Sequence, residues 1–344
     1  MSFLNKERNT GVYIIAELSA NHGNSLDVAL RTVEAAKRTG ADAIKLQTFT
    51  ADSMTLDIDS ADFMANPAGP WAGIRLYDLY KEAALPLDWH QPIFEHAKQL
   101  GLDCFSSPFD KEAVDFLEPF NPPAYKIASF EITDIPLIKY AASKGKPMII
   151  STGVADVSDI ELAIGACREV GNNDITILKC TSSYPTKPED ANLLTIPDIK
   201  NRFNVKTGLS DHTLGIEAPV LSVAFGATII EKHFILDKSI GGPDAHFSLD
   251  EQEFTQMVTA VRTAEKMIGK VDYSMTPSKQ QSRERARSLY IIKDVKKGAV
   301  LSEENIKSIR PGYGMHPIKW DEVMGRTFSQ DLPKGTPLSD AVID

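Results

Sequence analysis

Between residues 11 and 270 the chain alternates, eight times over, between a short β-forming run and a stretch with helical apolar spacing. The β-like runs are GVYIIAELSA, DAIKLQT, LDCFSSPF, AYKIAS, PMIIST, ITILKCT, VKTGLSD and TIIEKHF. Between them lie amphipathic stretches such as LDVALRTVEAAKRTG, with Gly40 as its C-cap, and DEQEFTQMVTAVRTAEKMIG. Strand–helix alternation implies a parallel sheet, and eight units are the number that closes a (β/α)8 TIM barrel, an α/β fold. A doubly wound open sheet would want a glycine-rich fingerprint after the first strand, and SANHGNS is not one.

The barrel is expected over residues 1–272, followed by a polar, basic linker at 273–286 and a small, mostly β module at 287–344. The module contains an internal repeat: DVKKGAVLSEENI (294–306) is echoed by DLPKGTPLSDAVI (331–343), each copy with a tight Lys-Gly turn. Two long connections, 49–85 after strand two and 236–249 after strand eight, fall on the side where barrel enzymes keep their active-site loops.

A formal net charge of −10 without a long basic run argues against nucleic-acid or anionic-membrane binding, since nothing would neutralise phosphates over a wide face. The longest apolar run, APVLSVAFGATII, is too short to span a bilayer, and MSFLNKERNT lacks the apolar core of a signal peptide. Cys104, Cys167 and Cys180 sit at no metal-ligand spacing and read as buried, reduced thiols. A cytoplasmic protein is expected.

In a barrel, residues i and i+2 of a strand share a face, and catalytic groups project from the C-terminal strand ends. Sorted this way, polar residues end all eight strands: Glu17 and Ser19; Lys45 and Gln47; Ser107; Lys126 and Ser129, with Glu131 following; Ser151; Ser182 and Tyr184; Ser210 and His212; Glu231 and His233. Gathering so many polar groups into one ring without function would be costly. Lys45 and Lys126, with the hydroxyls of Ser107, Ser129, Ser151, Ser182 and Ser210, suit a small, multiply charged anion. His212 and His233 end adjacent strands, about 4.8 Å apart, and can share one divalent ion. Asp211 and Glu231 are candidates to orient those imidazoles, and Lys232 is expected to point outward into a barrel–helix ion pair.

Taken together, IIAELSANHGNS, AIKLQT, SSPFD, PAYKIASFEI, GKPMIISTGV, CTSSYPT, GLSDHTLG, EKHF, GGPDAHFSLD and IRPGYG cover nearly the whole chain in order. The chain resembles the sialic acid synthase family, metal-dependent enzymes that condense phosphoenolpyruvate with an N-acyl amino sugar. Its C-terminal module is similar to that family's antifreeze-like (SAF) domain. AELSANH, LYDLYKEA and GGPDAHFSL look most like the branch that makes pseudaminic acid, whereas the branch making sialic acid more typically carries a Gly at Leu18-Ser19.

The resemblance implies a divalent metal ion (Mn2+, Mg2+ or Co2+) on His212 and His233. It implies phosphoenolpyruvate held by Lys45, Ser107, Lys126, Ser129, Ser151 and Ser210, with Ser182 where relatives often have Asn. Glu17, Gln47, Tyr184 and Asp244 match groups near the sugar, and Glu17, Glu231 and Lys126 are the candidates for moving protons and charge. Arg310 matches an arginine that one subunit inserts into the barrel of the other, which implies a domain-swapped homodimer. Two other classes fit parts of the pattern. A Schiff-base aldolase would use Lys126 or Lys45 as nucleophile, and a non-catalytic sugar-binding protein would use the C-terminal module; the paired histidines and serine ring favour neither.

Overall fold

The computed structural model describes residues 11–67 and 71–344, so the opening segment MSFLNKERNT lies outside the described residues. The chain divides into two compact units, Met1–Gly269 and Lys270–Asp344.

The first unit is built on eight strands: β1 (Tyr13–Glu17), β2 (Ala43–Thr48), β3 (Asp103–Pro108), β4 (Tyr125–Ile127), β5 (Met148–Ser151), β6 (Ile175–Cys180), β7 (Lys206–Asp211) and β8 (Ile229–His233). They pair in parallel in the order β3-β2-β1-β8-β7-β6-β5-β4. Between β3 and β4 the strands run side by side without a ladder. β4 is only three residues long and spends its hydrogen bonds on β5. The result is a nearly closed (β/α)8 barrel, as the alternation predicted.

Helices follow each strand, and their starts are written in the sequence. Asp156 with Asp159, and Asp250 with Glu253, form reciprocal capping boxes for Val157–Glu169 and Glu251–Ile268. Gly40 ends Leu26–Thr39 at φ 85°, the left-handed conformation that favours glycine. Helices Lys111–Leu117 and Thr195–Phe203, of 7 and 9 residues, follow β3 and β6. Among the described residues no helix is long and apolar enough to cross a membrane.

Strand pleating divides the apolar residues into two bodies. Outward side chains, including Ile14, Ile44, Ile127, Ile150, Ile177 and Ile230, pack beneath the helices in the main core. Ile15, Ala43, Phe105, Ala124, Ile149, Leu178 and Ile229 form a separate cluster that plugs the barrel interior. At Gly208 on β7 a side chain is impossible: an added Cβ would lie 2.4 Å from the Ile229 carbonyl and 2.7 Å from Leu178 Cδ2.

In the second unit β9 (Ser288–Ile291) pairs antiparallel with β10 (Ile306–Ile309). The repeated segments are joined reciprocally. Val295 N–H donates to Leu332 O and Leu332 N–H to Val295 O, at 2.9 and 3.0 Å. The Asp331 carboxylate accepts from Lys297 N at 2.9 Å, and its counterpart Asp294 accepts from Lys334 N at 2.8 Å. Gly298 and Gly335 make the two turns at φ 81° and 90°, and Leu301 and Leu338 are buried at matching positions of one core. The loop after β10, Arg310 to His316, is pinned by Ser288, whose hydroxyl donates to Pro311 O at 2.7 Å and accepts from Gly314 N at 2.9 Å. Gly314 has no room for a side chain, with Leu289 O only 2.3 Å from an added Cβ.

Candidate active site

The polar ring grows directly out of the apolar plug. On strand after strand, the residue two places beyond a plug residue is polar: Ile15 is followed by Glu17, Ala43 by Lys45, Phe105 by Ser107 and Ala124 by Lys126. The same step leads from Ile149 to Ser151, Leu178 to Cys180 and Ile229 to Glu231, and on β7 from Gly208 to Ser210. The plug keeps water out from below, so charges in this layer are deeply buried: Glu17, Lys45, Lys126 and Glu231 are 1, 3, 2 and 6% exposed.

These four form a chain of alternating sign. Lys45 Nζ lies 2.6 Å from Glu17 Oε2 and 4.0 Å from Glu231 Oε2, while Lys126 Nζ lies 3.8 Å from Glu231 Oε1. Lys45 also donates to Ser107 Oγ at 3.2 Å, Lys126 to Ile127 O at 3.0 Å, and Ser210 to Glu231 at 3.1 Å. Burial pushes the Glu17 carboxyl up to about 7 despite Lys45 beside it. Burial acts on Glu231 in the same sense, but Lys126 and Lys45 outweigh it and hold that carboxyl below its usual range. Two ammonium groups therefore face a hydroxyl-rich layer. Ser129 Oγ accepts from Gly153 N at 3.0 Å, and Ser151 Oγ is buried without a partner among the described residues. Gly153 allows this packing, since an added Cβ would meet Ser182 Oγ at 2.1 Å and Ser129 Oγ at 2.8 Å.

His212 and His233 face each other with ring centroids 5.2 Å apart. His212 Nδ1 lies 3.0 Å from the Thr181 carbonyl, which accepts that N–H and so directs Nε2 toward a metal. His233 Nδ1 is buried without a hydrogen-bond partner among the described residues, 3.7 Å from Asp244 Oδ2. Burial, with His212 and the lysines nearby, keeps the His233 ring neutral. Burial acts on His212 in the same sense, but Cys180, the Thr181 carbonyl and Asp211 outweigh it and raise that ring above its usual range. Two imidazoles on neighbouring strand ends fit a divalent ion. Among the described residues no group of three or more His, Cys, Asp or Glu could hold one, so substrate or water would complete its coordination.

Asp211 and Glu231 do not orient the imidazoles as the sequence suggested. Strand register places Asp211 opposite Lys232, both facing outward, where they form a buried ion pair that Thr213 O completes at 2.6 Å from Lys232 Nζ. Lys232 thus bonds along the barrel wall rather than to a helix. Glu231 belongs to the lysines.

Above the ring the barrel opens into a cavity of about 740 Å³ lined by Gln47, Ser129, Ser182, Tyr184, His233 and Asp244, among others. Both long connections contribute to its walls, 49–85 through residues such as Leu76 and 236–249 through Pro243 and Asp244. Gln47 Nε2 donates to Glu17 Oε1 at 3.0 Å and to Ser19 Oγ at 3.1 Å, and Ser19 donates in turn to Asp244. Ser19 holds φ 48°, a conformation that favours glycine. Tyr184 packs its ring 4.4 Å from that of His212. Arg310 is exposed on the second unit, in the loop pinned by Ser288.

Three residues here were given no role from sequence. Cys180 is the inward residue of β6 and lies 3.8 Å from His212 Nδ1, yet it reads as one more apolar position in ITILKC. Ser19 sits beyond its strand. Glu131 is carried into the cavity by the 3-10 turn Ser129–Glu131; its Oε2 has no partner among the described residues, and burial pushes its carboxyl up to about 7.

The match to known proteins is end to end. A pseudaminic acid synthase of Campylobacter jejuni is 49% identical over 96% of this chain and 96% of its own. One of Helicobacter pylori is 46% identical over 95% and 96%. The crystal structure of an N-acetylneuraminic acid (sialic acid) synthetase from Leptospira borgpetersenii, in complex with citrate, superposes with a TM-score of 0.71 at 32% identity, covering 79% of this chain and 90% of that one. The SAF domain model matches residues 286–343. Because the NeuB family model spans residues 32–273, strands β2 to β8 with the ring they carry, the chain belongs to the NeuB family.

Proposed function

We propose that the chain is a pseudaminic acid synthase. It condenses phosphoenolpyruvate with 2,4-diacetamido-2,4,6-trideoxy-L-altrose and releases pseudaminic acid and phosphate. The observation that carries this reading is the near-full-length likeness to enzymes of that name.

The ring's chemistry supports it. Phosphoenolpyruvate carries a phosphate and a carboxylate, and Lys45 and Lys126 with Ser107, Ser129, Ser151, Ser182 and Ser210 offer cations and hydroxyl donors to both. Gln47, Tyr184 and Asp244, which line the cavity, and Glu17, bonded to Gln47, would lie toward the sugar. His212 and His233 would hold a divalent ion (Mn2+, Mg2+ or Co2+), and such an ion, when bound, supplies polarisation of the sugar's aldehyde carbonyl.

C3 of phosphoenolpyruvate attacks the aldehyde carbon, forming the new carbon–carbon bond, and the carbonyl electron pair moves to its oxygen, which gains a proton. Water adds at the electron-deficient C2 and gives up a proton. The tetrahedral carbon then expels phosphate with C–O cleavage, leaving the keto acid. One water is consumed and one phosphate released. Glu17, with a carboxyl poised near 7, suits the proton transfers. Glu231 stays ionised and keeps Lys126 and Lys45 in place. Lys126, held between Ile127 O and Glu231, would face the developing negative charge of the leaving phosphate.

Arg310 of one subunit would reach the barrel of a second copy in a domain-swapped homodimer, its guanidinium donating to a substrate amide carbonyl. An enzyme that consumes phosphoenolpyruvate, a cytoplasmic metabolite, would work in the cytoplasm. Phosphate release measured with a panel of amino sugars tests the assignment: a large preference for the 2,4-diacetamido-trideoxy sugar is expected. Equal or better kcat/KM with N-acetylmannosamine, or with the sugar that gives legionaminic acid, would move the chain to another branch of the family.

A further inference from the structure

Polar and apolar groups share the lining of the cavity above the ring. Gln47, Glu131, Tyr184 and Asp244 are among the polar members. The connection after β2 adds an apolar wall of Met54, Leu76, Leu79 and Tyr80, with Phe49 and Phe109 just beyond β2 and β3 and the Glu131 carboxyl near Tyr80. Its aromatic members are packed edge to face, Phe49 on Phe109 at 5.2 Å and on Tyr80 at 6.1 Å. Phe49 and Leu79 are buried, and Met54, Leu76, Tyr80 and Phe109 half-buried. The proposed condensation gives this surface no part, since its chemistry is assigned to the lysines, serines and histidines.

We propose that this wall reads the unreactive end of the sugar, accepting the C6 methyl and the methyl of the 4-acetamido group, and so selects 2,4-diacetamido-trideoxy sugars over N-acetylmannosamine. The inference rests on the function proposed above and deepens it. Strand order supplies the direction. The histidine pair ends β7 and β8, whereas the wall rises from β2 and β3, with β1 lying between in the ladder. An open-chain sugar whose aldehyde is at the histidines passes Asp244 and Gln47, which can satisfy its middle hydroxyls, and brings C4 to C6 against the wall. N-acetylmannosamine differs at those positions, with hydroxyls at C4 and C6. Apolar pockets distinguish a methyl(ene) by roughly 10–200-fold and an added hydroxyl by roughly 100-fold.

The test compares kcat/KM for the two sugars in the full-length protein and in Met54→Gln and Leu76→Asn, both at half-buried positions that tolerate a polar group. Expected is a loss of about 10–100-fold with the diacetamido sugar and a much smaller change with N-acetylmannosamine. The selectivity ratio then collapses while KM for phosphoenolpyruvate holds, and Leu76→Met restores the ratio. Parallel losses on both sugars, or an unchanged ratio in both variants, would overturn the wall's role and leave the proposed function standing. A wild-type enzyme that prefers N-acetylmannosamine would overturn both.

Discussion

Lys45 Nζ and Glu17 Oε2 meet at 2.6 Å across neighbouring strands, with side chains 4 and 1% exposed. A pair this deep is held together by the cost of leaving either member alone. Lys45→Met should destabilise the protein by about 3–5 kcal/mol, and the Glu17→Gln/Lys45→Met double variant should recover part of that loss. Urea unfolding of both singles and the double decides the matter; strictly additive effects would mean the two groups are not coupled.

His212→Ala and His233→Ala are each expected to abolish phosphate release while leaving the melting temperature nearly unchanged, because neither ring anchors the barrel core. Chelator treatment should silence the wild type, and a divalent ion should restore it. Full activity in either variant would end the assignment of this pair.

Gly153→Ala places a methyl where Ser182 Oγ and Ser129 Oγ now approach an added Cβ to 2.1 and 2.8 Å. The two hydroxyls must separate, so KM for phosphoenolpyruvate should rise by about tenfold or more, a shift of roughly 1.4 kcal/mol. Steady-state kinetics with an unchanged KM would show that these serines do not contact the anion.

Glu131 gives a pH signature. Its carboxyl rises from 4.5 to about 7 on folding, chiefly through burial, so its contribution to stability is present at low pH and lost as pH climbs through about 7. Glu131→Gln carries no such cost. It should match the wild type near pH 4 and exceed it by up to about 3 kcal/mol above pH 7. Thermal melts of both proteins across that range would reveal a gap that opens with pH; a constant gap would contradict the shift.

Mixing Arg310→Ala with His233→Ala protein should regenerate activity, since a heterodimer with exchanged domains contains one site having both residues. Mixtures proven by mass to have exchanged subunits, yet no more active than the separate variants, would rule out the swap.

Much of this was legible in the sequence because β pleating is strict. Alternation located all eight strands, and the two-residue step from Ile229 to Glu231 to His233 put the last two on one face. What was missed has physical causes. Asp211 and Lys232 look like neighbours of the histidines, but odd and even positions face opposite ways, and only the ladder register pairs them with each other. Glu131 lies past its strand, where a 3-10 turn rather than pleating sets direction. Cys180 is concealed by its own polarity, which is that of a small apolar residue.

The reciprocal aspartates of the second unit, Asp294 on Lys334 N and Asp331 on Lys297 N, tie its two repeats into one frame. Each holds the turn of the other half, so a change at either one reaches across to its counterpart and neither half stands alone. The stretch joining the halves occurs only once, and Arg310 stands on it, held at both ends by a frame that must form as a whole.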